Sequence, residues 1–324
     1  MKKLLGALLL VFAAISAAPA QTMHQPARIG WITYNSAAVN APYLETFIKG
    51  MAELGHIEGK SYVIVPRYGD DDPDRVEALA QDLVKERPDM IITLGAATTD
   101  TIRIVRGRIP VIFGFSGDPV KAGWATSLAM PNENLTGATF LSIELNAKRI
   151  ELLKQAFPRM QRLAVMANPL HPGEDLEIAE CRRAGERLGI DISYYPARDL
   201  KELEATLQRL DTERADAVIA LPDVLTLVHR KLIIEFAAER GMPVISGWAR
   251  FAEAGGLLTY GPNLAESFGR LAYYAHRVLN GAKPSSLPIE QPSRFELVVN
   301  ARTAARLGIE LPQSLLARAD AVID

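Results

Sequence analysis

Apolar strand-like segments alternate with amphipathic helix-like segments along most of this 324-residue chain. Two of the strand-like segments, DMIITL at Asp89–Leu94 and RLAVMA at Arg162–Ala167, are almost continuously apolar. Such strands are expected where helices cover both faces of a sheet. Helices are predicted at Glu174–Leu188 and at Asp223–Arg240, and each is followed by a glycine, Gly189 or Gly241, that ends it. The alternation therefore predicts an α/β protein built on doubly wound parallel sheets with right-handed crossovers.

The alternation runs twice, which predicts two lobes. The first series ends with the strand at Pro110–Phe115, and the second begins with a helix at Asn146. Short extended segments at Gly256–Tyr260 and Pro284–Pro292 then follow. Together with a link near Leu141–Leu145, they give three passages between the lobes. Several interlobe passages favour a hinge over a rigid fusion.

The first 20 residues have the pattern of a secretory signal peptide. Lys2 and Lys3 precede an apolar run at Leu4–Ile15, and Ala18 and Ala20 supply the small residues of a cleavage site. The apolar run is shorter than the ~20 residues that a membrane-spanning helix needs. We therefore expect a periplasmic protein with no stable membrane insertion.

Composition excludes several classes of partner. A formal net charge of −2 argues against nucleic acid, which calls for a basic surface. The hydrophobic fraction of 48% and the charged fraction of 23% are ordinary for globular lobes with sizeable cores. The single cysteine, Cys181, allows no intramolecular disulfide and is expected to be a small packed residue.

The sequence contains no recognisable catalytic, cofactor or metal motif. Ser116 lies in GFSGD, which lacks the spacing of a nucleophile elbow, and neither G-x-G-x-x-G nor a P-loop is present. The five histidines are scattered without metal-ligand spacing, and His171 is expected to be a solvated loop residue. We therefore predict no catalytic residues, no metal, no cofactor and no enzyme activity.

Turns that follow strand ends supply the candidate ligand-binding residues, because ligands collect at the carboxyl edge of parallel sheets. Short polar residues, small residues and aromatic rings occur in these turns, where helix N-termini offer N–H groups to a carboxylate. The aromatic rings of Tyr34, Phe115 and Trp248, which come from both lobes, are expected to enclose an apolar ligand body. The candidates are Tyr34, Asn35, Ala96, Thr98, Phe115, Ser116, Asn168, Asp223, Trp248 and Tyr260.

Each candidate also has a purely structural interpretation, namely capping or packing. Asp223 either caps a helix or pairs with a ligand amine, and the sequence leaves both open. Asp118 and Pro119 are interpreted mainly as a helix start, which leaves Phe115 and Ser116 as the binding edge. We expect Asp223→Ala and Trp248→Ala to weaken binding while leaving the fold intact.

Several short motifs, in order, resemble one family across Arg28 to about Pro312. These are F-x-x-G-x-x-x-L-G at Phe47–Gly55, D-P-V-x-x-G at Asp118–Gly123, N-L-T-G at Asn134–Gly137, G-x-K-P at Gly281–Pro284, and V-N followed by L-G-I at Val299–Ile309. The chain resembles the tryptophan/tyrosine-type substrate-binding proteins of ABC transporters, which have a periplasmic type I binding-protein fold.

The resemblance implies a first lobe of residues 28–142 plus 256–283 and a second lobe of 143–255 plus 284–324. It also implies capture of a small ligand between the lobes by hinge closure, and delivery to an ABC permease and ATPase at the inner membrane. The expected ligand is an aromatic or amino-acid-like carboxylate, and the expected state is a monomer. Here Ala96 follows Gly95, where family members often place Thr, so other small carboxylates fit as well.

Two other functions remain open on the sequence. The same lobes suit a ligand-sensing module that signals to a membrane receptor, and an exported α/β enzyme is a third possibility. Absence of turnover would separate binding from catalysis.

Overall fold

The computed structural model describes residues 25–324 except 71, 106–107, 133 and 141–142. The predicted signal peptide, residues 1–20, lies outside the described residues. Among the residues that are described, no helix is both long and apolar enough to cross a membrane.

The first lobe is built on a five-stranded sheet with strand order β2-β1-β3-β4-β7. All neighbouring strands in this sheet are parallel, as the alternation predicted. The elements are β1 (Ala27–Thr33), α1 (Ala37–Glu53), β2 (Tyr62–Tyr68), α2 (Pro73–Lys85), β3 (Met90–Leu94), α3 (Ala96–Val105), β4 (Val111–Phe115), the small hairpin β5 (Ala125–Ser127) and β6 (Met130–Pro131), and β7 (Leu135–Thr139).

The second lobe is built on a seven-stranded sheet with strand order β14-β13-β12-β11-β10-β8-β9. Its elements up to the next crossing are α4 (Ile143–Ala156), β8 (Arg162–Ala167), α5 (Glu174–Leu188), β9 (Asp191–Pro196), α6 (Leu200–Glu213), β10 (Ala217–Ala220), α7 (Val224–Val228), α8 (Arg230–Glu239), β11 (Val244–Ser246), α9 (Ala249–Glu253) and β12 (Leu258–Pro262). Strands β8 to β12 pair in parallel.

The last part of the chain visits both lobes. Helix α10 (Leu264–Leu279) packs on α1 in the first lobe, and a 3₁₀ turn (Pro284–Ser286) follows. The remaining elements are β13 (Phe295–Asn300), α11 (Ala301–Arg306), α12 (Gln313–Leu316) and β14 (Ala321–Ile323). Strand β13 runs antiparallel to β12, so the second sheet is mixed at this edge.

Two predicted lobe boundaries differ from the structure. Strand β12, expected in the first lobe, pairs with β11 and β13 and therefore belongs to the second. Residues 284–290, expected in the second lobe, lie on the first, because Thr136 Oγ1 donates to Leu287 O at 2.7 Å and Ala138 forms a bridge with Glu290. The observed first lobe is thus 27–139 plus 264–290, and the second is 143–262 plus 295–323.

Each sheet has apolar cores made by the helices that cover it. In the first lobe, Trp31 and Phe47 pack with rings 5.3 Å apart on the α1 side, and both are fully buried. In the second lobe, Cys181 is fully buried against the same face as Val165 and Ile219, as expected for a small packed residue. These cores hold the strand ends, and with them the turns, in place.

Two helix predictions were wrong in detail. The segment after Asp118 is a turn, although the Asp118 carboxylate does accept from Val120 N and Lys121 N at 2.8 and 3.2 Å. The predicted helix Asp223–Arg240 is two helices, α7 and α8, that meet at His229. The break matters because it places Arg230 at the start of a separate helix.

Candidate functional site

Turns at the carboxyl ends of strands in the two sheets meet at one boundary, which we call the interlobe cleft. The turns after β3 and β4 come from the first lobe, and those after β8 and β10 come from the second. A Cβ atom built on Gly95 would lie 3.5 Å from Val224 Cγ2, so the two lobes approach each other closely there. Several turns predicted to bind ligand therefore lie along one boundary, as expected for parallel sheets.

His171 joins the two lobes through its side chain. Its Nε2 lies 2.9 Å from Ser116 Oγ in the first lobe, and its Nδ1 lies 3.5 Å from Glu177 Oε2 in the second. The prediction of a solvated loop histidine was wrong: His171 is only 6% exposed because it lies between the lobes. Ser116 is half-buried, and its hydroxyl contacts His171.

The surroundings of His171 favour its charged form. Burial alone would lower the pKa of the imidazole, but the hydrogen bond to Glu177 and the negative charges of Asp223, Glu177 and Glu174 outweigh it. The pKa of His171 is therefore raised above its usual 6.5. In the charged form, both ring nitrogens donate, one to Glu177 and one to Ser116.

A backbone hydrogen bond and an ion pair reinforce this link. Asp118 N donates to Pro172 O at 2.9 Å, and Lys121 Nζ lies 3.2 Å from Asp175 Oδ2 at the exposed rim. A Cβ atom on Gly117 would come within 2.6 Å of Pro172 O, so only glycine allows this approach. The two lobes are closed against each other along this edge.

Asp223 and Asn168 form a second polar group, entirely on the second lobe. Asn168 Nδ2 donates to Asp223 Oδ1 at 3.2 Å, and the same oxygen accepts from Leu225 N at 2.8 Å. Thr226 completes a capping box with Asp223. The capping interpretation of Asp223 is thus confirmed. Its other oxygen, Oδ2, accepts no hydrogen bond from the residues that the structure describes.

Tyr43, Arg230 and Arg250 form a third group, which the sequence interpretation missed. The Arg250 guanidinium of α9 lies 5.4 Å from the ring centroid of Tyr43 in α1, so the pair spans the two lobes. The ring of Phe268 stacks on the ring of Tyr43, and their centroids are 4.3 Å apart. Burial raises the pKa of the Tyr43 hydroxyl, while the charges of Arg250 and Arg230 oppose that rise.

Three predicted site residues lie in cores, which corrects their proposed place at the cleft surface. Thr98 is fully buried, and its hydroxyl donates to Leu94 O at 2.6 Å. Phe115 is 1% exposed and packs 4.5 Å from Trp124, while Trp248 is 4% exposed in the second-lobe core with Phe251. These side chains leave almost no area for a ligand, so Phe115 and Trp248 are not placed to enclose a ligand together with Tyr34 as expected.

The remaining predicted residues keep accessible area. Tyr34, Asn35 and Ala96 are half-buried at the ends of β1 and β3. Tyr260 is also half-buried, but its ring packs beside Phe295 at 6.2 Å and against the second-lobe core.

The side chain of Arg149 lies against the turn after β11. It is buried, its Nε donates to Tyr260 O at 2.8 Å, and its Nη2 would lie 2.7 Å from a Cβ atom on Gly247. Burial lowers the pKa of Arg149 to about 10, partly offset by the charge of Glu177. The negative charge of Glu177 therefore acts on both Arg149 and His171, and Glu177 contacts His171 directly.

Within residues 25–324, leaving aside those not described, no three His, Cys, Asp or Glu side chains are placed to hold a metal ion. The polar groups of the cleft are guanidinium, hydroxyl and amide donors together with one capped carboxylate, which accepts. This set is suited to binding an anionic or zwitterionic solute.

Two α/β lobes, with polar strand-end turns meeting between them, give the chain the two-lobed fold of periplasmic type I binding proteins. The chain belongs to the ABC transporter substrate binding protein family, whose sequence pattern matches residues 39–323. The family is one of substrate-binding proteins.

Individual proteins resemble this chain at about 20% sequence identity. A tyrosine-binding protein of Clostridioides difficile (strain R20291) is 21% identical over 82% of this chain and 76% of its own length. Among solved structures, an ABC domain from Streptococcus pneumonia in complex with L-Trp has a TM-score of 0.85 at 21% identity, covering 92% of this chain and 100% of that one. The ligand-free, open structure of CD0873 from Clostridium difficile has a TM-score of 0.68 at 20% identity, covering 92% and 99%.

Proposed function

We propose that this protein is the periplasmic solute-binding component of an ABC import system. It captures an aromatic or amino-acid-like carboxylate in the interlobe cleft by hinge closure. The observation that carries the proposal is the meeting of polar strand-end turns from both lobes at one cleft, in a chain of the substrate binding family. The ligands named for two similar proteins, tyrosine and L-Trp, support the choice of ligand class.

We propose that Asp223 and the half-buried cleft residues contact the ligand. Asp223 receives the ligand ammonium group through Oδ2, since only Oδ1 is used for capping and for Asn168. The other proposed contacts are the half-buried Tyr34, Asn35, Ala96, Ser116, Asn168 and Tyr260.

The energies are sufficient for a useful binder. Burying an aromatic body of ~150–200 Å² at ~25 cal/mol per Å² contributes roughly 4–5 kcal/mol. A few charge-assisted hydrogen bonds at ~1.5–3 kcal/mol each, less the cost of association, reach the ~8 kcal/mol of a micromolar site.

Calorimetry and thermal shift test this function directly. The protein purified without its first 20 residues would be titrated with L-tryptophan, L-tyrosine, benzoate and L-leucine. We expect one-to-one binding by at least one aromatic carboxylate in the micromolar range, without turnover. Absence of stabilisation by every solute, including any recovered from the purified protein by mass spectrometry, would contradict the proposal.

Export and delivery complete the proposed role. We propose that the chain is released to the periplasm as a monomer after cleavage at Ala20, and that it docks on a permease and ATPase complex. Mass measurement of the N-terminus from a periplasmic fraction checks the first step, and substrate-dependent stimulation of the reconstituted ATPase checks the second.

A hydrolase is a second candidate, because His171 contacts the Ser116 hydroxyl through Nε2 and the Glu177 carboxylate through Nδ1. A nucleophile, a base and a carboxylate that orients the base follow this order in hydrolases. We favour a structural role, since the hydroxyl and the imidazole come from opposite lobes and cover each other. The test is hydrolysis of p-nitrophenyl acetate. Turnover that is lost in Ser116→Ala would make the protein an enzyme, and we expect none above background.

A further inference from the structure

Tyr43, Arg230 and Arg250, which we call the arginine cluster, bring two positive charges to the interlobe cleft. Arg250 belongs to the helix after β11, Arg230 begins α8, and Tyr43 reaches them from the first lobe. Helix α8, which begins at Arg230, packs on α9, which carries Arg250. The charges of both arginines also oppose the rise in the pKa of the Tyr43 hydroxyl. None of them is in the set of residues that the strand-end pattern selects.

The polar atoms of this cluster are largely unpartnered. Arg250 donates no hydrogen bond and forms no ion pair with the residues that the structure describes. Arg230 Nη1 donates to Leu227 O at 2.8 Å, but its Nε is buried without a partner, and no carboxylate pairs with the guanidinium in the described chain. The Tyr43 hydroxyl likewise makes no hydrogen bond within the described residues, and its side chain is nearly buried.

Unpaired guanidinium groups in a half-buried position are unusual, because a desolvated charge is costly unless it is paired. The negative charge of Glu253 contributes to the raised pKa of Tyr43. However, Glu253 forms no ion pair with either arginine in the described chain. An anion supplied from outside the chain would satisfy both guanidiniums and the hydroxyl together.

We propose that the arginine cluster is the subsite that binds the carboxylate group of the solute. This inference rests on the proposed function and specifies how its ligand is recognised. Guanidinium groups suit a carboxylate because their N–H groups form a planar fork that donates two parallel hydrogen bonds. Asp223 supplies a carboxylate to the same cleft, and its Oδ2 accepts no hydrogen bond from the described residues. The favoured ligand is therefore a zwitterion with its carboxylate at the arginines and its ammonium group at Asp223.

The first experiment needs no variant. The unmodified protein is titrated with L-tryptophan, then with tryptamine, which lacks the carboxylate, and with indole-3-propionate, which lacks the ammonium group; L-tyrosine and tyramine form a parallel pair. We expect removal of the carboxylate to weaken binding at least 100-fold. We expect removal of the ammonium group to cost less, since Asp223 is already partly satisfied by its cap.

The second experiment removes the charges one at a time. Arg230→Gln and Arg250→Gln are each expected to weaken carboxylate binding by about 10- to 100-fold, the range of a lost charge-assisted hydrogen bond. Lys231→Gln is the matched control, because Lys231 is an exposed cation on the same helix as Arg230. Arg250→Lys is expected to recover part of the affinity, since the charge returns without the planar fork.

The outcomes separate this inference from the proposed function. Equal binding of tryptophan and tryptamine, or unchanged affinity in both arginine variants, would overturn the arginine subsite while the solute-binding function stands. Binding of neutral solutes alone would also overturn it. If no solute of any kind binds, both the subsite and the function fail.

Discussion

The Ser116–His171–Glu177 contact and the arginine cluster both lie at the interlobe cleft, but their polar groups are satisfied in different ways. In the first, each hydrogen-bonding side chain finds a partner within the chain across 2.9 to 3.5 Å. In the second, a buried Nε and a phenolic hydroxyl have no partner among the described residues. We interpret the first as a contact that holds the lobes together, and the second as a contact completed by a ligand.

This comparison predicts opposite responses to mutation. Changes at the satisfied contact lower the free energy of unfolding whether or not a ligand is present. Changes at the arginine cluster alter ligand affinity and leave the free energy of unfolding nearly unchanged. Four measurements, from the largest expected effect to the smallest, break or sharpen this distinction.

Trp248→Ala tests whether the arginine cluster depends on the core beneath it. Trp248 packs with Phe251 and Val244 and immediately precedes α9, which carries Arg250. We expect the free energy of unfolding to fall by about 3–5 kcal/mol, the usual cost of truncating a buried aromatic side chain. Urea denaturation checks it, with exposed Leu170→Ala as the control. Unchanged stability with weakened binding would restore the original expectation that Trp248 contacts the ligand.

His171→Ala tests the satisfied contact. The substitution leaves Glu177 without its imidazole partner in a buried position, so we expect a loss of about 2–4 kcal/mol in the free energy of unfolding. A double-mutant cycle with Ser116→Ala measures the coupling between the two side chains. Additive losses would show that the 2.9 Å contact contributes nothing to holding the lobes together.

The pH dependence of stability tests the charge on His171. Because the pKa of His171 is raised in the folded protein, the native state binds its proton more tightly than the unfolded chain does. Its contribution is therefore fully present below the usual pKa of 6.5 and is lost as the pH rises through the folded pKa. Urea denaturation of the wild type and of His171→Gln from pH 5.5 to 9 should show a stability difference that shrinks with increasing pH. A difference that grows with pH would mean that the imidazole is neutral in the fold.

The double variant Arg230→Gln/Arg250→Gln tests the unsatisfied cluster without ligand. Since neither guanidinium pairs with a described carboxylate, we expect the free energy of unfolding to change by less than about 0.5 kcal/mol, or to rise slightly as like charges are removed. Thermal unfolding with and without L-tryptophan measures it, and only the shift caused by ligand should be lost. A loss of several kcal/mol would instead show that the arginines hold the lobes together.

Much of the fold follows from local pattern. The strands at Met90–Leu94 and Arg162–Ala167 lie where the apolar runs predicted them, because a buried parallel strand must be apolar on both faces. The passages between the two lobes were harder to predict. The end of β12 and the segment before β13 are both short and extended, and only hydrogen bonding to a particular sheet decides which lobe they join.

The candidate site was predictable only in part. Strand-end turns led to Ser116, Asn168 and Asp223, because their position depends on where a strand stops. They did not lead to His171, Arg230 or Arg250, which lie several residues beyond those ends, in a loop or in helices that look ordinary by sequence. The same reasoning wrongly placed Thr98 and Phe115 at the surface, because a turn residue and a core residue can be neighbours in sequence.

The sequence by itself determined the strand and helix periods, the helix caps and the edges at which loops gather, because each depends on residues a few positions apart. Only the tertiary structure decided which polar groups are already satisfied. Ser116 and His171 are 55 residues apart, and Asn168 and Asp223 are likewise 55 apart. Tyr43 and Arg250 come from different lobes. Hydrogen bonds form between groups that are close in space, whatever their distance along the chain. Only the packed structure therefore shows that the two arginines have no carboxylate partner among the described residues.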